Sequence, residues 1–552
     1  MKVNFLKKID ALHIGLILLG WIGFIYFFST LLFFLNIIVS NYSCWSVTLI
    51  YILLLYFFLK KYYINNNIPT LNIIYNVVVS ILIVLLSFLI SNYFIDNSFD
   101  GQYYHGPAII HIYNGWNPNY NYITEKGIIG ICINHFAKAS WITGGFLYKL
   151  TGSFQCAKAT SIILMAANFF IALYFFRKRD FSNTLAIIIS LLLACNPIWL
   201  NMYLSNMLDS QVANCTYIFA ILIILYLEEK KIVLLPFLYL TIVYAVNLKF
   251  SVLVYFTIFC VALFAYLLYK KELLKNKRLI IHISFAMLLA VLVIGYQTYV
   301  KNTLLFGHPF YPFYSKNSVP IVSNVEALDY KTGNTFWNFI KSNFAATNFN
   351  QAYTQHLKYK IPFSISRYEL ERYAFAGVMI GGFGVWFSGA LLISLALLIY
   401  IFIKRKHEIF KADFQYYFFL IVVFASVVIN PYAYIARYSP QYYLIPFIVL
   451  IFFHKHFKEK KFMKYMICAI LVMNSLLICG YSYYNVVVTK TVISQMERIK
   501  KSNQSIEINF GNHTSKKILF DEYKIPYTEV ANFEKGVHTD TLFRSEVVYK
   551  FK

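Results

Sequence analysis

Residues 77–118 read VVVSILIVLLSFLISNYFIDNSFDGQYYHGPAIIHIYNGWNP. The first part of this stretch, up to Ile95, contains no charged side chain and is long enough to cross a hydrocarbon layer about 30 Å thick. The second part concentrates two aspartates, two histidines, three tyrosines, a tryptophan and two prolines. An apolar run that leads directly into such a loop predicts a membrane-spanning helix with chemically active residues at the membrane surface.

Composition extends this prediction to the whole chain. The 552 residues are 59% hydrophobic and 13% charged, whereas soluble proteins are about 25% charged. The apolar runs must be helical in lipid, because no water is present there to satisfy an open backbone. We therefore predict an all-α polytopic membrane protein with about 13 transmembrane helices, centred near residues 25, 53, 83, 168, 194, 220, 240, 260, 290, 390, 422, 446 and 476.

The basic residues predict the orientation of these helices. With the N-terminus in the cytoplasm, the inner loops hold 24 of the 49 lysines and arginines. The short outer connections hold only Lys249 and Arg437, which is the asymmetry of the positive-inside rule. The net charge of +25 is then a consequence of topology and does not indicate a nucleic-acid partner.

The topology divides the chain into three parts. Residues 1–71 are predicted to form two accessory spans, residues 72–488 the transmembrane core, and residues 489–552 a small α/β domain outside the membrane. The core carries two larger outer loops, 96–158 and 300–375. The tail pattern predicts helices at 490–503 and 514–523 and strands at 506–510, 526–530 and 545–551.

The first outer loop has signals for two short helices on the membrane surface. One begins at Pro107 and ends at Gly115, which are typical start and stop residues. The other covers residues 137–152, where aromatic residues, leucines and lysines alternate as in an interfacial helix. Farther along the chain, the glycines of 377–389 have helical spacing and predict close helix packing.

All 24 acidic residues lie outside the predicted spans, and this disfavours an ion-coupled carrier, which needs ionisable groups within the membrane.

Asp100 and His105 stand out among the outer residues because they directly follow a span. A carboxylate there can take a proton from a water-soluble acceptor. The alternative is that Asp100 caps the helix that follows and that His105 only packs against a neighbour.

Two later outer segments are also candidates. The segment 299–314 contains His308 and Tyr311 next to two prolines, and its alternative interpretation is an aromatic belt at the interface. Arg437 is the only charge of its short connection, and its planar, permanently charged guanidinium suits a phosphate group. Contact with lipid headgroups is the alternative for Arg437.

The cysteines and acids give little sign of a metal or of disulfides. Cys132 and Cys156 lie in the same outer loop, so that a disulfide is possible, but free thiols are the favoured interpretation. No dense group of carboxylates demands a metal ion. A divalent metal is thus possible but not indicated, and no cofactor is predicted.

Several motifs resemble the GT-C superfamily of membrane glycosyltransferases, and in particular bacterial members with a D-x-x-x-Y-H-x-P motif in their first large outer loop. Asp100, Tyr104, His105 and Pro107 stand at the motif positions. The similarity continues through NGWNP, HFAKASW, NPIWLNMYLSNMLDSQ, VNLKFSVLVY, VKNTLLFGHPFYP and ARYSPQYYLIP, and covers roughly residues 80 to 450. One departure is Ala137, where the family pattern has proline.

The resemblance implies an inverting enzyme that moves a sugar from a polyprenyl-phosphate donor at the outer face of a bacterial cytoplasmic membrane, in cell-envelope polysaccharide or glycolipid synthesis. The acceptor is left open as a glycan, a lipid or a protein. The implied residues fall into catalytic groups (Asp100, His105, Asp209), donor-phosphate ligands (Arg437, Lys301, Lys249) and substrate-loop residues (Tyr104, Trp116, His308, Tyr311).

Two other functions compete with this reading. One is a flippase or carrier for lipid-linked oligosaccharides, which needs a polar route across the spans. The other is an enzyme of the O-antigen polymerase or ligase type, centred on the segment 299–314.

Overall fold

The computed structural model describes residues 10–65, 70–125, 127–321, 328–331, 334–348, 356–412, 414–534 and 536–552. It is mostly helical, as the composition predicts. The first half contains α1 (Ala11–Phe34), α2 (Asn41–Asn65), α3 (Thr70–Tyr93), α4 (Gly106–Tyr113), α5 (Gly127–His135), α6 (Ala139–Thr151), α7 (Ala159–Arg177), α8 (Asn183–Ala194), α9 (Pro197–Leu200), α10 (Asp209–Glu229), α11 (Leu234–Val246) and α12 (Phe250–Tyr269).

The second half continues with α13 (Lys277–Leu289), α14 (Lys301–Phe306), α15 (Leu328–Lys331), α16 (Thr335–Asn343), α17 (Arg367–Arg372), α18 (Phe387–Ala412), α19 (Phe414–Val428), α20 (Ile445–His456), α21 (Lys461–Ile478), α22 (Gly480–Lys501) and α23 (Lys517–Glu522). Short 3₁₀ turns precede α7, α13, α20 and α23, and turns of π-helix precede α4 and follow α13.

Within the described residues, nine helical segments are long and apolar enough to cross a membrane. They are Ala11–Phe34, Asn41–Lys61, Leu71–Tyr93, Phe154–Arg177, Asp209–Glu229, Phe250–Tyr269, Leu274–Ile294, Phe387–Arg405 and Lys461–Lys501. Each coincides with one of the predicted spans. The apolar character of these helices indicates a membrane-associated protein.

The remaining predicted spans, near residues 194, 240, 422 and 446, fall on shorter helices. These are α8, α11, α19 and α20, with 12, 13, 15 and 12 residues. A hydrocarbon core needs about 20 helical residues, so that none of the four has that length by itself. The total of about 13 transmembrane helices therefore stays a prediction.

Among the nine long apolar segments, α10 is the most enclosed. Of its most apolar stretch 89% is buried in the protein, against 22% for the corresponding stretch of α3. Helix α10 packs against α7 and α11, and α7 in turn contacts α1, α3 and α8. The first residue of α10, Asp209, is therefore held at one end of the helical core.

The first outer loop differs from its prediction. Helices α4 and α6 form where two short helices are predicted, and α5 (Gly127–His135) lies between them. Ala139 through Tyr148 are buried among α1, α4 and α7, so that this part of α6 packs within the protein, and its predicted position at the membrane surface stays a prediction. Gly144 and Gly145 allow this, since a Cβ at either position would press on Ile109 or Ile112 of α4.

The glycine-rich segment that precedes α18 is not helical, which contradicts its predicted role in helix packing. Gly377, Gly381 and Gly384 adopt positive φ angles of 81°, 61° and 110°, a backbone region that glycine occupies without strain. The side chain of Asn201 accepts hydrogen bonds from the amides of Gly377 and Val378 at 2.9 and 3.0 Å. The glycines therefore build a folded loop.

The C-terminal residues form a small sheet, as the tail pattern predicts. Its strands β1 (Ile506–Asn509), β2 (Tyr527–Glu529), β3 (Asp540–Thr541) and β4 (Val548–Phe551) are arranged in the order β2-β1-β4-β3. Strand β1 is parallel to β2 and antiparallel to β4. Helix α22 runs without a break across residue 489, where the domain boundary is predicted, so that the sheet is joined to the core by a continuous helix.

The two ends of α10 differ in their charged surroundings. At its last turn, Glu229 pairs with Lys178 and Lys231, at 2.6 Å in each case. Asp209 lies at the other end, about 30 Å away for a helix of this length.

The predicted orientation also places Lys2, Lys7 and Lys8 in the cytoplasm. These three lysines lie outside the described residues.

The predicted orientation can be tested with a reporter protein that is active only in the cytoplasm. Fused after Lys231, beside the Glu229 cluster, it should be active; fused after Lys552 it should be inactive, because the basic residues hold the opposite face inside. Enzymatic activity of the two fusions, normalised to protein amount, is the measurement. Strong activity of the Lys552 fusion would contradict the orientation.

Candidate functional site

The residues after α3 form a turn of π-helix, Gly101–His105, that leads directly into α4. Such turns, with one extra residue, occur frequently at functional sites. Asp100 immediately precedes the turn and its side chain makes no capping hydrogen bond. The alternative that Asp100 is a helix cap is therefore wrong, and its carboxylate points to another partner.

That partner is Arg437, which lies in the 3₁₀ turn Ala436–Tyr438 before α20. Its Nη1 lies 3.0 Å from Oδ2 of Asp100 and 3.7 Å from Oδ2 of Asp209. Oδ1 of Asp209 lies 2.5 Å from Nζ of Lys249, the residue before α12. Two acids and two bases from four separate segments thus form one charge cluster with no net formal charge.

The members of this charge cluster differ in exposure. The side chains of Asp209 and Arg437 are 4% and 7% exposed, whereas those of Asp100 and Lys249 are each 23% exposed. The Nε of Arg437 is buried and has no acceptor among the described residues. Because an unsatisfied buried donor is costly, Arg437 has hydrogen-bonding capacity left for a ligand.

A cavity of about 390 Å³ opens beside the charge cluster, within the size range of small-molecule sites. Asp100, His105, Asp209, Lys249 and Arg437 contribute its polar wall. Its apolar wall comes from the ends of α5, α10 and α12 and from neighbouring loops, with Ile128, Cys132, Phe136, Ala137, Leu208, Leu248, Phe250, Phe313, Ile321 and Met379. The cavity is therefore suited to a ligand with both a charged and an apolar part.

Burial changes the pKa of Lys249. It lowers the pKa of the Lys249 ammonium from its ordinary value to about 8, although Asp209 acts in the opposite direction. The ring of Tyr438 lies 3.9 Å from the ammonium nitrogen and further stabilises the cation. Lys249 is therefore mainly charged at neutral pH and loses its charge as the pH rises through about 8.

Another acid near the turn, Asp96, has a structural role. Its carboxylate accepts hydrogen bonds from the amide and hydroxyl of Ser98 at 2.8 and 2.7 Å and from the amide of Asn206 at 2.8 Å. The residue is buried, and it ties the end of α3 to the segment before α10. All of its observed contacts stay within the protein.

Other predicted site residues do not line the cavity. Trp116 donates to the carbonyl of Asn121 at 2.9 Å, and Lys301 donates to the carbonyl of Asn119 at 3.0 Å. Nδ1 of His308 accepts from the amide of Phe310, and Tyr311 stacks on Phe306 with ring centroids 3.8 Å apart. These contacts pack and close loops. Of the predicted substrate-loop residues, only Tyr104 lines the cavity.

Three residues that sequence reasoning did not single out belong to the site. Tyr438 lines the cavity next to Arg437, and Asn512 reaches it from the C-terminal domain. Trp141 of α6 lies behind it, with its indole Nε1 donating to Nδ1 of His105 at 2.7 Å. Tyr438 has a signal in the sequence as the neighbour of Arg437, whereas the other two depend on contacts between distant segments.

The C-terminal domain docks on the same turn. Nζ of Lys516 donates to the carbonyl of Asp96 at 2.7 Å, and Oγ of Ser515 donates to the carbonyl of Gln102 at 3.2 Å. The ring of His513 contacts Phe99 edge to face at 5.8 Å. One wall of the cavity is therefore supported by the C-terminal domain.

Metal-ligating groups are sparse in the part of the chain that the structure describes. No group of three or more histidines, cysteines or acids there is arranged to hold a metal ion. Cys132 and Cys156 are both buried free thiols.

Comparison with protein-family models, with curated proteins and with solved structures gives no match to the chain.

A substitution at Gly106 tests how the C-terminal domain docks on the π-helical turn. A Cβ at this position would lie 2.8 Å from Cβ of Ser515 and 2.8 Å from the carbonyl oxygen of Gly101. Because overpacking typically costs about 1–3 kcal/mol, Gly106→Ala should loosen the domain and speed its removal by limited proteolysis within residues 502–505.

Gly480→Ala is the matched control, since a Cβ there would meet only the carbonyl of Leu370 at 4.0 Å. Equal cleavage rates for the wild type and both variants would show that the domain does not depend on the contact between Gly106 and Ser515.

Proposed function

We propose that the protein is a membrane glycosyltransferase that moves a sugar from a polyprenyl-phosphate donor to an acceptor at the outer face of the membrane. The observation that carries this proposal is the cavity where Asp100, Arg437 and Lys249 meet at one end of the helical core. A carboxylate and two cations beside an apolar wall match a reaction between a hydroxyl group and a lipid-linked sugar phosphate. The resemblance to GT-C enzymes led to the same residues.

The cations support the donor end of this proposal. A sugar on polyprenyl phosphate carries a negative phosphate between a polar sugar and an apolar chain. Arg437 offers a forked guanidinium that suits phosphate oxygens, and Lys249 adds a second positive charge. Phe250 and Phe136 line the apolar side of the same cavity. Both cations thus favour departure of the phosphate, because they stabilise the charge that develops on it.

The carboxylate of Asp100 supports the acceptor end. As the acceptor oxygen attacks the anomeric carbon, its proton passes to Asp100 and the bond between carbon and phosphate oxygen breaks. The bonding electrons leave with polyprenyl phosphate, and attack from the opposite side inverts the anomeric configuration. Asp209, by contrast, is nearly buried and contacts both Lys249 and Arg437. It serves to hold the cations in place.

The competing functions receive less support. A carrier needs polar groups along a route across the spans, whereas the charge cluster lies at one end of α10 and the ion pairs of Glu229 lie at the other. An enzyme centred on 299–314 needs its chemistry there, but His308 and Tyr311 make packing contacts outside the cavity.

Asp100→Asn tests the proposal directly. Asparagine keeps the size of the side chain and can still accept a hydrogen bond from Arg437, but it is a far poorer base. Transfer should fall at least about 10²-fold. The measurement is release of polyprenyl phosphate from a panel of polyprenyl-phosphate sugars by purified protein in lipid vesicles, with membranes of the producing cells as the acceptor source.

Asp540→Asn is the matched control, because it disrupts a similar ion pair with Arg498 at 3.3 Å in the C-terminal domain. It should retain wild-type transfer. Near wild-type transfer by Asp100→Asn would exclude Asp100 as the base, and the absence of transfer from every donor would refute the proposed function.

Because the pKa of Lys249 is lowered to about 8, we expect donor binding to depend on pH. All donors of this class share polyprenyl phosphate, which is therefore the probe. Its affinity should fall as the pH rises through about 8, where free Lys249 loses its proton, by up to about tenfold per pH unit. Phosphate itself does not explain a fall between pH 7 and 9.5, since its second pKa is about 6.

Lys249→Arg is the informative control because arginine stays charged throughout this range. It should remove the decline above pH 8. Titration of the wild type and the variant by intrinsic fluorescence or calorimetry gives the two profiles, and a decline that persists in Lys249→Arg would assign it to another group.

A further inference from the structure

Among the described residues, His105 is the one histidine that lines this cavity. Its neighbours restrict which of its ring nitrogens can carry a proton. The residue is 2% exposed. Its ring lies against Tyr104 and Trp141, with centroid distances of 4.2 and 5.8 Å. Trp141 is fully buried in α6, so that neither ring has room to turn away.

The contact between Trp141 and His105 determines which ring nitrogen carries the proton. Indole Nε1 is only a donor, and it points at Nδ1 of His105 from 2.7 Å. Nδ1 must therefore present a lone pair. A neutral imidazole has one N–H, which then belongs to Nε2, whereas a protonated ring would direct its Nδ1–H at the indole N–H.

The charged groups around His105 act in both directions. Asp100, Asp209 and Asp96 favour its protonated form, whereas Lys249 and above all burial oppose it. The net effect of burial and these charges is to lower the pKa of His105 to about 4. His105 is therefore neutral across the physiological range, in agreement with the direction of the indole hydrogen bond.

The one hydrogen bond that the His105 ring makes with the described residues is the bond from Trp141 to Nδ1, and the ring lines the cavity. The Nε2–H is thus left without a protein acceptor among these residues, and a ligand oxygen in the cavity can accept from it. Arg437 and Lys249 already supply the positive charge for a phosphate group. A neutral donor in the same cavity is suited to an uncharged oxygen such as a sugar hydroxyl.

We propose that His105 is a fixed neutral hydrogen-bond donor that binds a hydroxyl group of the transferred sugar through Nε2–H, and that Trp141 is the positioning residue that sets its tautomer. This inference rests on the proposed function, because it assumes a sugar in the cavity. It excludes His105 as the acid or base of the reaction and leaves proton transfer to Asp100.

Paired substitutions separate a donor from an acid or base. The amide of glutamine places an N–H near the position of Nε2, so that His105→Gln should keep transfer within about threefold of the wild type. His105→Ala removes the donor and leaves the sugar hydroxyl without a partner, and it should lower kcat/KM about 5- to 150-fold. His111→Gln, outside the cavity, is the control for a histidine substitution in the same loop.

The tautomer itself has a readout that does not depend on activity. ¹⁵N NMR of labelled protein, with the His105 signal assigned by its loss in His105→Gln, should show a neutral ring protonated at Nε2 from pH 5 to 8. In Trp141→Phe the indole donor is lost, so that the pKa of His105 should rise and Nδ1 should become accessible to protonation. The wild-type spectrum decides even where Trp141→Phe does not fold.

The outcomes distinguish this inference from the proposed function. A ring protonated at Nδ1 in the wild type overturns the inference, as does transfer by His105→Gln that is as low as transfer by His105→Ala. If the wild type transfers no sugar while the NMR spectrum shows the Nε2–H tautomer, the proposed function fails and with it the assignment of the ligand as a sugar.

Discussion

Charge pairing at the end of an apolar helical core is the constraint on which this structure depends. Isolated charges are costly to bury, and removal of one partner from a buried pair typically costs about 3–5 kcal/mol. Asp100, Asp209, Lys249 and Arg437 come from four segments, and each satisfies another through contacts of 2.5–3.7 Å. The turn after α3, the starts of α10 and α12 and the turn before α20 are therefore held at one place, and the cavity lies between them.

The same π-helical turn connects this charge cluster to the rest of the molecule. Asp100 faces Arg437, His105 accepts from Trp141 of α6, and the carbonyl of Gln102 accepts from Ser515 of the C-terminal domain. Gly106 has no side chain, and this permits the close approach of Ser515. Core helices, charge cluster and C-terminal domain therefore meet within seven consecutive residues, Asp100 to Gly106, and a shift in any of them would move the others.

The sequence allowed prediction of those features that depend on local pattern. Long uncharged runs predicted the nine long apolar helices, because hydropathy over about 20 residues is decisive for such helices. Short helices such as α8 and α20 lack that length. Whether they cross the membrane depends on their packing against other helices, which hydropathy does not report. The sequence did not reveal that α6 is buried against other helices, because aromatic and basic residues are common both at an interface and in a buried helix whose polar atoms find partners.

Only some members of the candidate site were predictable from the sequence, and their contacts were not. If the spans alternate in direction, all short outer connections lie at the outer face of the membrane. Lys249 and Arg437 were therefore predicted to lie on the same face as Asp100. Their partners are far away in the chain: 337 residues separate Arg437 from Asp100, and no periodicity reports such a pair. Trp116, His308 and Tyr311 were predicted as substrate-loop residues from the resemblance to GT-C enzymes, but aromatic residues and histidines in such motifs also pack loops.

Asp100 and Asp209, the two acids of the charge cluster, differ in exposure and therefore suit different roles. Asp209 begins α10, where the positive end of the helix dipole favours a carboxylate, and it contacts both cations while only 4% of its side chain is exposed. Proton transfer to such a group would remove the counter-charge of Lys249 and Arg437 together. Asp100 has one ion-pair partner and 23% exposure towards the cavity. In the proposed reaction Asp100 accepts the proton while Asp209 keeps the two cations in place, so that one site would both hold a phosphate and take up a proton.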